Sequence, residues 1–299
     1  RIMEGRKWQD GLHQSIEAKE LVPITAASGE AARITVQNFF RLYSKIGGMT
    51  GTAVQCASEI RRVYSLKATA IPTHRPCIRR LNKPRVFATM EAKWRAVTDE
   101  IESLVNADRA VLVGTPSVDA SEALGRMLND KNIKHEILNA RYLEQEAEII
   151  GNAGESGRVI VATNMAGRGT DIKLSDSLKS AGGLQVIATE MHSSKRIDSQ
   201  LIGRAARQGD PGGYQFFLSL EDELMRCHTP EKMARKKKQA NPNAHGELAG
   251  SWVSFFTKTQ RYLEKMHYKQ RKDMMKQDKH RTESYRRMGL DPCLELTEN

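Results

Sequence analysis

No window of the 299-residue chain reaches the roughly 18 consecutive apolar residues that a membrane span needs, and no apolar run near the start reads as a signal peptide. Cysteine is scarce: Cys56, Cys77, Cys227 and Cys293 are scattered, with no C-x-x-C pair and no Cys/His cluster at metal-ligand spacing. A disulfide scaffold and a zinc site are thereby disfavoured, and a reducing, cytoplasmic setting is expected. An initiator Met is also lacking, so the chain, which opens on Arg1, is expected to begin inside a longer polypeptide. Apolar residues are not scarce. At 39%, joined by 22 glycines, they reach the usual globular fraction, which disfavours disorder of the whole chain. The length suggests roughly two domains.

Charge is unevenly placed. The chain carries 47 Lys and Arg against 36 Asp and Glu, or +11, but 16 of the former and 6 of the latter fall between His228 and Leu290. That tail therefore holds +10 and the rest about +1. Arg235 to Lys238 form a basic run, and Asn241, Pro242, Asn243, Gly246 and Gly250 read as a breaker-rich linker. From Ser251 onward Phe256, Leu263, Met266, Met274, Tyr285 and Met288 recur near multiples of 3.6, which predicts one long amphipathic helix. Its charged face suits solvent or an anionic partner.

The middle of the chain alternates strand and helix. Ala110 to Val113 is an apolar run ending in Gly114, Thr115 and Pro116, after which Ser117 caps a predicted helix to about Asn129. His135 to Leu138 with Glu144 to Ala153 repeats the pattern. Arg158 to Ala162 follows, then Leu184 to Ala188 with a helix from Arg196 to Arg207, then Tyr214 to Leu220. This order predicts an α/β fold, a parallel sheet with helices on both faces. Ligands of such sheets bind beyond the carboxyl ends of the strands, so the loops after Ala162 and Ala188 are the places to seek chemistry.

The first loop runs from Thr163 to Asp171. Gly167 and Gly169 would let its backbone approach a phosphate, with Arg168 supplying charge and Asp171 an acceptor. In the second segment, Gln200 to Asp210, Arg204 and Arg207 stand at i, i+3 and are expected to share one helical face. Two permanently charged guanidinium forks pointing the same way suit the charge that builds on a transferred phosphoryl group. A surface arginine pair bound to nearby acids is the plainer alternative for either segment alone.

Several runs, in order, resemble the SecA family of preprotein translocase ATPases. They are Trp8 to Gln14, G-G-M-T-G-T-A from Gly47 to Ala53, I-P-T-H-R-P from Ile71 to Pro76 and V-L-V-G-T from Val111 to Thr115. Leu138 to Ala140, A-T-N-M-A-G-R-G-T-D-I from Ala162 to Ile172, and Q-L-I-G-R-A-A-R-Q-G-D-P-G from Gln200 to Gly212 complete the set. The resemblance implies two RecA-like lobes with ATP between them. Residues 1–68 would end the first lobe, 69–77 would be a linker stiffened by Pro72 and Pro76, and 78–225 would be the whole second lobe. A basic linker at 226–250, a scaffold-type helix at 251–290 and a tail at 291–299 would follow.

The same resemblance assigns roles. Arg204 and Arg207 would be catalytic arginines reaching the γ-phosphate. Asp171, Arg168, Gly167, Gly169 and Gln208 would meet nucleotide or relay to it, and Thr50, Gly51 and Thr52 would sense it at the lobe interface. ATP is the implied cofactor, with Mg2+ held mainly by the first lobe. The implied partners are an unfolded preprotein, a SecYEG-type channel and an anionic membrane surface. The protein would sit peripherally on the inner face of the cell membrane. A homodimer is left open, and nucleic acid is not expected as a partner.

No G-x-x-x-x-G-K-S/T loop is present and no Gly-Lys dipeptide, so this chain alone is expected not to hydrolyse ATP. Glu221, Asp222 and Glu223 follow an apolar strand and imitate a Walker B acid pair, but their place after the arginine segment marks them as structural. The family has Gly where Ala206 stands and Arg where Ile202 stands; Ala206 is expected inside a helix, where Ala is the better former. The chain shows no helical wing and no cysteine-rich tail, which would suit a shortened, accessory-type member. The alternatives are a superfamily 2 nucleic-acid helicase and a non-hydrolysing module that binds preprotein or membrane.

Overall fold

A computed structural model describes residues 7–8, 11–26, 34–138, 146–163, 171–250 and 252–289. The chain divides into two compact units, Thr69–His267 and a second made of Arg1–Ala68 with Tyr268–Asn299.

The larger unit is built on a wholly parallel sheet. Its strands are β1 (Arg80–Leu81), β2 (Arg85–Phe87), β3 (Val111–Thr115), β4 (Glu136–Leu138), β5 (Val159–Thr163), β6 (Leu184–Ala188) and β7 (Gly212–Ser219). They lie in the order β1, β7, β6, β3, β5, β4, with β2 continuing along β7 beyond β1. β3, β5 and β6 read as mainly apolar runs, with Gln185 the polar exception inside β6, because both their faces are covered. Val111 and Val113 turn to one face with Val159, Val161, Ile187 and Phe217, while Leu112, Ile160, Val186 and Phe216 turn to the other.

The first face is covered by α4 (Met90–Asn106) and α5 (Val118–Asp130). Thr89 caps α4 by accepting from the Ala92 N–H, and Ala96, Val97, Ile101 and Leu104 form its inward stripe. Ser117 caps α5 by accepting from the Ala120 N–H, as its place after the strand predicts. The opposite face is covered by α6 (Glu146–Gly151), α7 (Asp176–Ser180), α8 (Lys195–Ile202) and the start of α10 (Trp252–Arg287). The long helix is confirmed. It buries Phe256, Thr259, Gln260 and Leu263, at i, i+3, i+4 and i+7, against this face.

The 226–250 stretch, expected as a linker, is ordered. α9 (Pro230–Gln239) takes up the basic run, with Pro230 in its first turn, Thr229 as its cap and Lys236 to Lys238 in its last turn, where cations are favoured by the negative end of the helix dipole. The chain then runs antiparallel to β2: Leu248 N–H donates to the Val86 carbonyl at 2.7 Å, Ala88 N–H to the Gly246 carbonyl at 3.0 Å, and Arg85 grips the Glu247 carboxylate at 2.8 Å. A strap of this kind covers an otherwise open sheet edge.

The smaller unit holds α1 (Leu12–Lys19), α2 (Val36–Arg41), α3 (Ala57–Tyr64) and the remainder of α10. Arg271 binds the Glu59 carboxylate with two N–H groups at 2.7 and 2.9 Å, and Asp278 accepts from Thr35 and Asn38. No helix among the described residues is long and apolar enough to cross a membrane.

Candidate functional site

The arginine segment follows β6 in the chain but not as one helix, and α8 returns it to the amino ends of β6 and β7, where Ala205 and Ala206 lie against Gly212, and not to the carboxyl ends where chemistry was expected. α8 stops at Ile202, and Gly203, Arg204 and Ala205 close tight turns on Ser199, Leu201 and Ile202. Ala206 then adopts φ 52°, ψ 50°, and a short 3-10 turn over Arg207–Gly209 has Gln208 at φ 54°. The expected shared helical face of Arg204 and Arg207 is therefore absent, and Ala206 is not helical. Past the helix end the Ala205 carbonyl accepts from Arg79 Nε at 2.9 Å, and Ala205 and Ala206 are buried. The chain must also reverse within a few residues to enter β7. The left-handed backbone at Ala206 gives a physical reason for the family's Gly there.

Both arginines still border one segment. Arg207 Nη1 donates to Asp171 Oδ1 at 2.8 Å, and its Nε donates to the Gly203 carbonyl at 3.2 Å. Arg204 lines a small void with Thr163 and Ile172, the residues bracketing the loop after β5. Gly167, Arg168 and Gly169 of that loop lie outside the described residues. The Arg207 and Asp171 side chains are 35% and 49% exposed, so their pair adds little stability; its effect is to aim the guanidinium. Gln208 is exposed, and Asp210 faces Lys179 at 3.6 Å. Gly209 has φ +82°, and a Cβ there would come within 2.9 Å of the Arg75 side chain.

Thr50, Gly51 and Thr52 belong to the smaller unit. Thr52 is buried, its N–H donates to Thr50 Oγ1 at 3.4 Å, and its carbonyl accepts from the Gln55 N–H, opening the turn that leads into α3.

A polar cluster at the carboxyl ends of β6 and β7 gathers Asp222 with residues that the sequence reading did not single out. Lys93, on α4, is fully buried and donates to Asp222 Oδ1 at 2.5 Å and to the Thr189 carbonyl at 2.8 Å. Asp222, the Walker B look-alike, is thus held in a buried ion pair and also accepts from the Ser219 N–H. Burial pushes its carboxyl up, against the pull of Lys93. Glu190, 7% exposed, is pushed up to about 7 by burial first and then by the Asp222 carboxylate, with His192 and Lys93 opposing and Glu223 adding to the rise. Below it, Asp198 Oδ1 accepts from the His192 backbone N–H at 3.0 Å and faces His192 Nδ1 at 2.7 Å. Gln260 Nε2 donates to Asp198 Oδ2 at 2.6 Å and to the His192 carbonyl at 2.8 Å. The local signals were Glu190 and Asp222, carboxylates soon after apolar strands; Lys93 and Gln260 arrive from elements far away in the chain.

Among the described residues no group of three or more His, Cys, Asp or Glu converges to hold a metal. The arginine segment instead offers fixed positive charge and N–H donors, a donor set that fits a polyphosphate and not a cation.

Comparison with known proteins agrees with the motif order. The model of the SecA P-loop domain matches residues 76–180 and 175–243, and that of the SecA DEAD-like domain matches residues 2–61. Protein translocase subunit SecA 2 of Rhodopirellula baltica is 46% identical over 299 residues, covering 99% of this chain and 45% of the relative. Protein translocase subunit SecA of Bacteroides fragilis is 55% identical over 234 residues, covering 78% of this chain and 21% of the relative. The chain thus spans less than half the length of either. Among solved structures, the Escherichia coli DEAD-box protein SrmB, bound to RraA, aligns at a TM-score of 0.40 and 22% identity, covering 50% of this chain and 83% of that one.

Proposed function

The chain belongs to the SecA family of protein translocase subunits, and on that premise we propose that it supplies the second-lobe half of an ATP site in a motor that moves unfolded preproteins. The observation that supports this reading is the Arg207 guanidinium, held by Asp171, with Arg204 beside Thr163 and Ile172, which bracket the loop after β5. ATP bound against a first lobe would present the phosphoryl group whose charge rises during transfer. Arg207 and Arg204 lie within one turn of chain and would meet that charge, a contact stronger in the transition state than before it. Asp171 keeps Arg207 extended until the phosphate arrives. Arg168, Gly167 and Gly169 would let the loop backbone come close to nucleotide, Gln208 would relay from its exposed turn, and Thr50 to Thr52 would sense the nucleotide state. Mg2+ would be held by the first lobe.

Closure of two lobes around ATP and their release after hydrolysis would carry α10 through a cycle of hinge motion. The partners in this reading are an unfolded preprotein and a membrane channel, with the basic tail facing an anionic membrane surface on the cytoplasmic side. The test is ATP turnover by a protein in which a first lobe precedes Arg1, assayed alone, with an unfolded secretory preprotein plus inner-membrane vesicles, and with RNA. Stimulation by preprotein and membranes is expected, with Arg207→Ala reducing it about 1,000-fold. Stimulation by RNA alone would refute the translocase reading and leave only the engine. The 299-residue chain by itself is expected to show no turnover.

A further inference from the structure

The N-cap side chain of α8 does not cap it. Ser194 forms no side-chain cap hydrogen bond, and the first N–H of the helix, that of Lys195, donates instead to Glu264 Oε1 at 2.7 Å. Glu264 stands on α10. One turn into α8, the buried Asp198 accepts from Gln260 Nε2 at 2.6 Å, and Gln260 holds the His192 carbonyl as well. Gln260 and Glu264 are four residues apart, so they project from one face of α10 and grip the first turn of α8 together. The far end of α8 is Ile202, followed within five residues by Arg204 and Arg207.

We propose that Gln260 and Glu264 are positioning residues, through which the long helix sets the pose of α8 and hence of the Arg204 to Arg207 segment. The proposal rests on the reading of that segment as the nucleotide-facing one. An eight-residue helix of about 12 Å moves as a rigid rod, so a shift of its first turn is carried to its last. Two features make the grip effective. The Asp198 carboxylate is buried, so its bonds are charge-assisted and poorly replaced by water. The Lys195 N–H, the first orphan donor of α8, has its partner on α10, so withdrawal of α10 takes that partner away. Force on α10 would then be felt at the arginines without any contact between α10 and nucleotide.

The experiment has two arms. In the 299-residue chain, amide hydrogen exchange is compared among the parent, Gln260→Ala, Glu264→Ala and Glu264→Gln. Gln260→Ala and Glu264→Ala are expected to speed exchange across 195–210 about tenfold, the size of one charge-assisted hydrogen bond, while β3, β5 and β6 stay protected. Glu264→Gln keeps an acceptor oxygen for the Lys195 N–H and is expected to match the parent. In the protein carrying a first lobe, Gln260→Ala is expected to lower kcat about tenfold with KM for ATP unchanged. Unchanged exchange at 195–210, or acceleration shared equally by the sheet strands, overturns the proposal. So does an unmoved kcat in a protein whose turnover Arg207→Ala abolishes. If Arg207→Ala leaves turnover intact, the half-site reading fails, and the exchange arm alone decides whether α10 holds the segment.

Discussion

Glu190 offers a sharp test of how the buried cluster behaves. Its carboxyl is pushed from an ordinary 4.5 to about 7, and it is 7% exposed. In the unfolded chain it ionises near its ordinary value, while the folded lobe keeps the proton until about pH 7. The folded state therefore binds more protons in that window, and stability falls as pH rises through it. The span is 2.5 units, and each unit corresponds to about 1.4 kcal/mol, so the loss between pH 4.5 and 7 is about 3 kcal/mol. Glu190→Gln keeps the shape and cannot ionise. Urea unfolding, followed by tryptophan fluorescence at pH values from 4.5 to 8, measures both proteins. Asp222, Glu223, His192 and Lys93 face Glu190 and are present in both proteins, so the difference between the two curves reports on Glu190. The variant is expected to gain about 3 kcal/mol on the parent from the acidic to the neutral end. Parallel curves, within about 0.5 kcal/mol, would mean that Glu190 is solvated and ionised throughout, and the argument from burial would fail.

Lys93→Met leaves Asp222 without its cation and the Thr189 carbonyl without its donor, and is expected to destabilise the lobe by about 3–5 kcal/mol in a urea melt. Adding Asp222→Leu should restore at least half of that loss, since the uncompensated charge goes with it. At Ala206, relief of left-handed strain worth about 1–2 kcal/mol opposes the loss of a buried methyl and the greater freedom of unfolded Gly, so Ala206→Gly should fall within about 1 kcal/mol of the parent. Ala206→Val, branched at a positive φ in a buried position, should cost about 2 kcal/mol or more in the same assay. Gly183→Ala should be worse still, about 3 kcal/mol or more by thermal or urea unfolding, because φ is +76° and the new Cβ would lie 1.9 Å from the Pro211 carbonyl oxygen.

What the sequence by itself determined is local or consecutive. The apolar runs of β3, β5 and β6, the cap Ser117 and the long helix α10 each depend on residues within a turn or two, and each appears where its pattern places it, but of the α10 stripe only Phe256 and Leu263 are buried, with Thr259 and Gln260 between them and Met274 and Met288 exposed. The order of the motifs along the chain likewise carried the family. Tertiary structure decided the rest, for two physical reasons. A helix pattern does not report the tertiary contacts at its end, so the break between Arg204 and Arg207 became visible only with Arg79 seated on the Ala205 carbonyl and Ala206 turned left-handed. A buried charge is legible only with its partner, and partners here come from far along the chain: Lys93 lies 129 residues from Asp222, and Gln260 lies 62 from Asp198. Periodicity carries no information over such separations, because it is packing of α4 and α10 on the two faces of the sheet that brings those side chains within hydrogen-bonding distance.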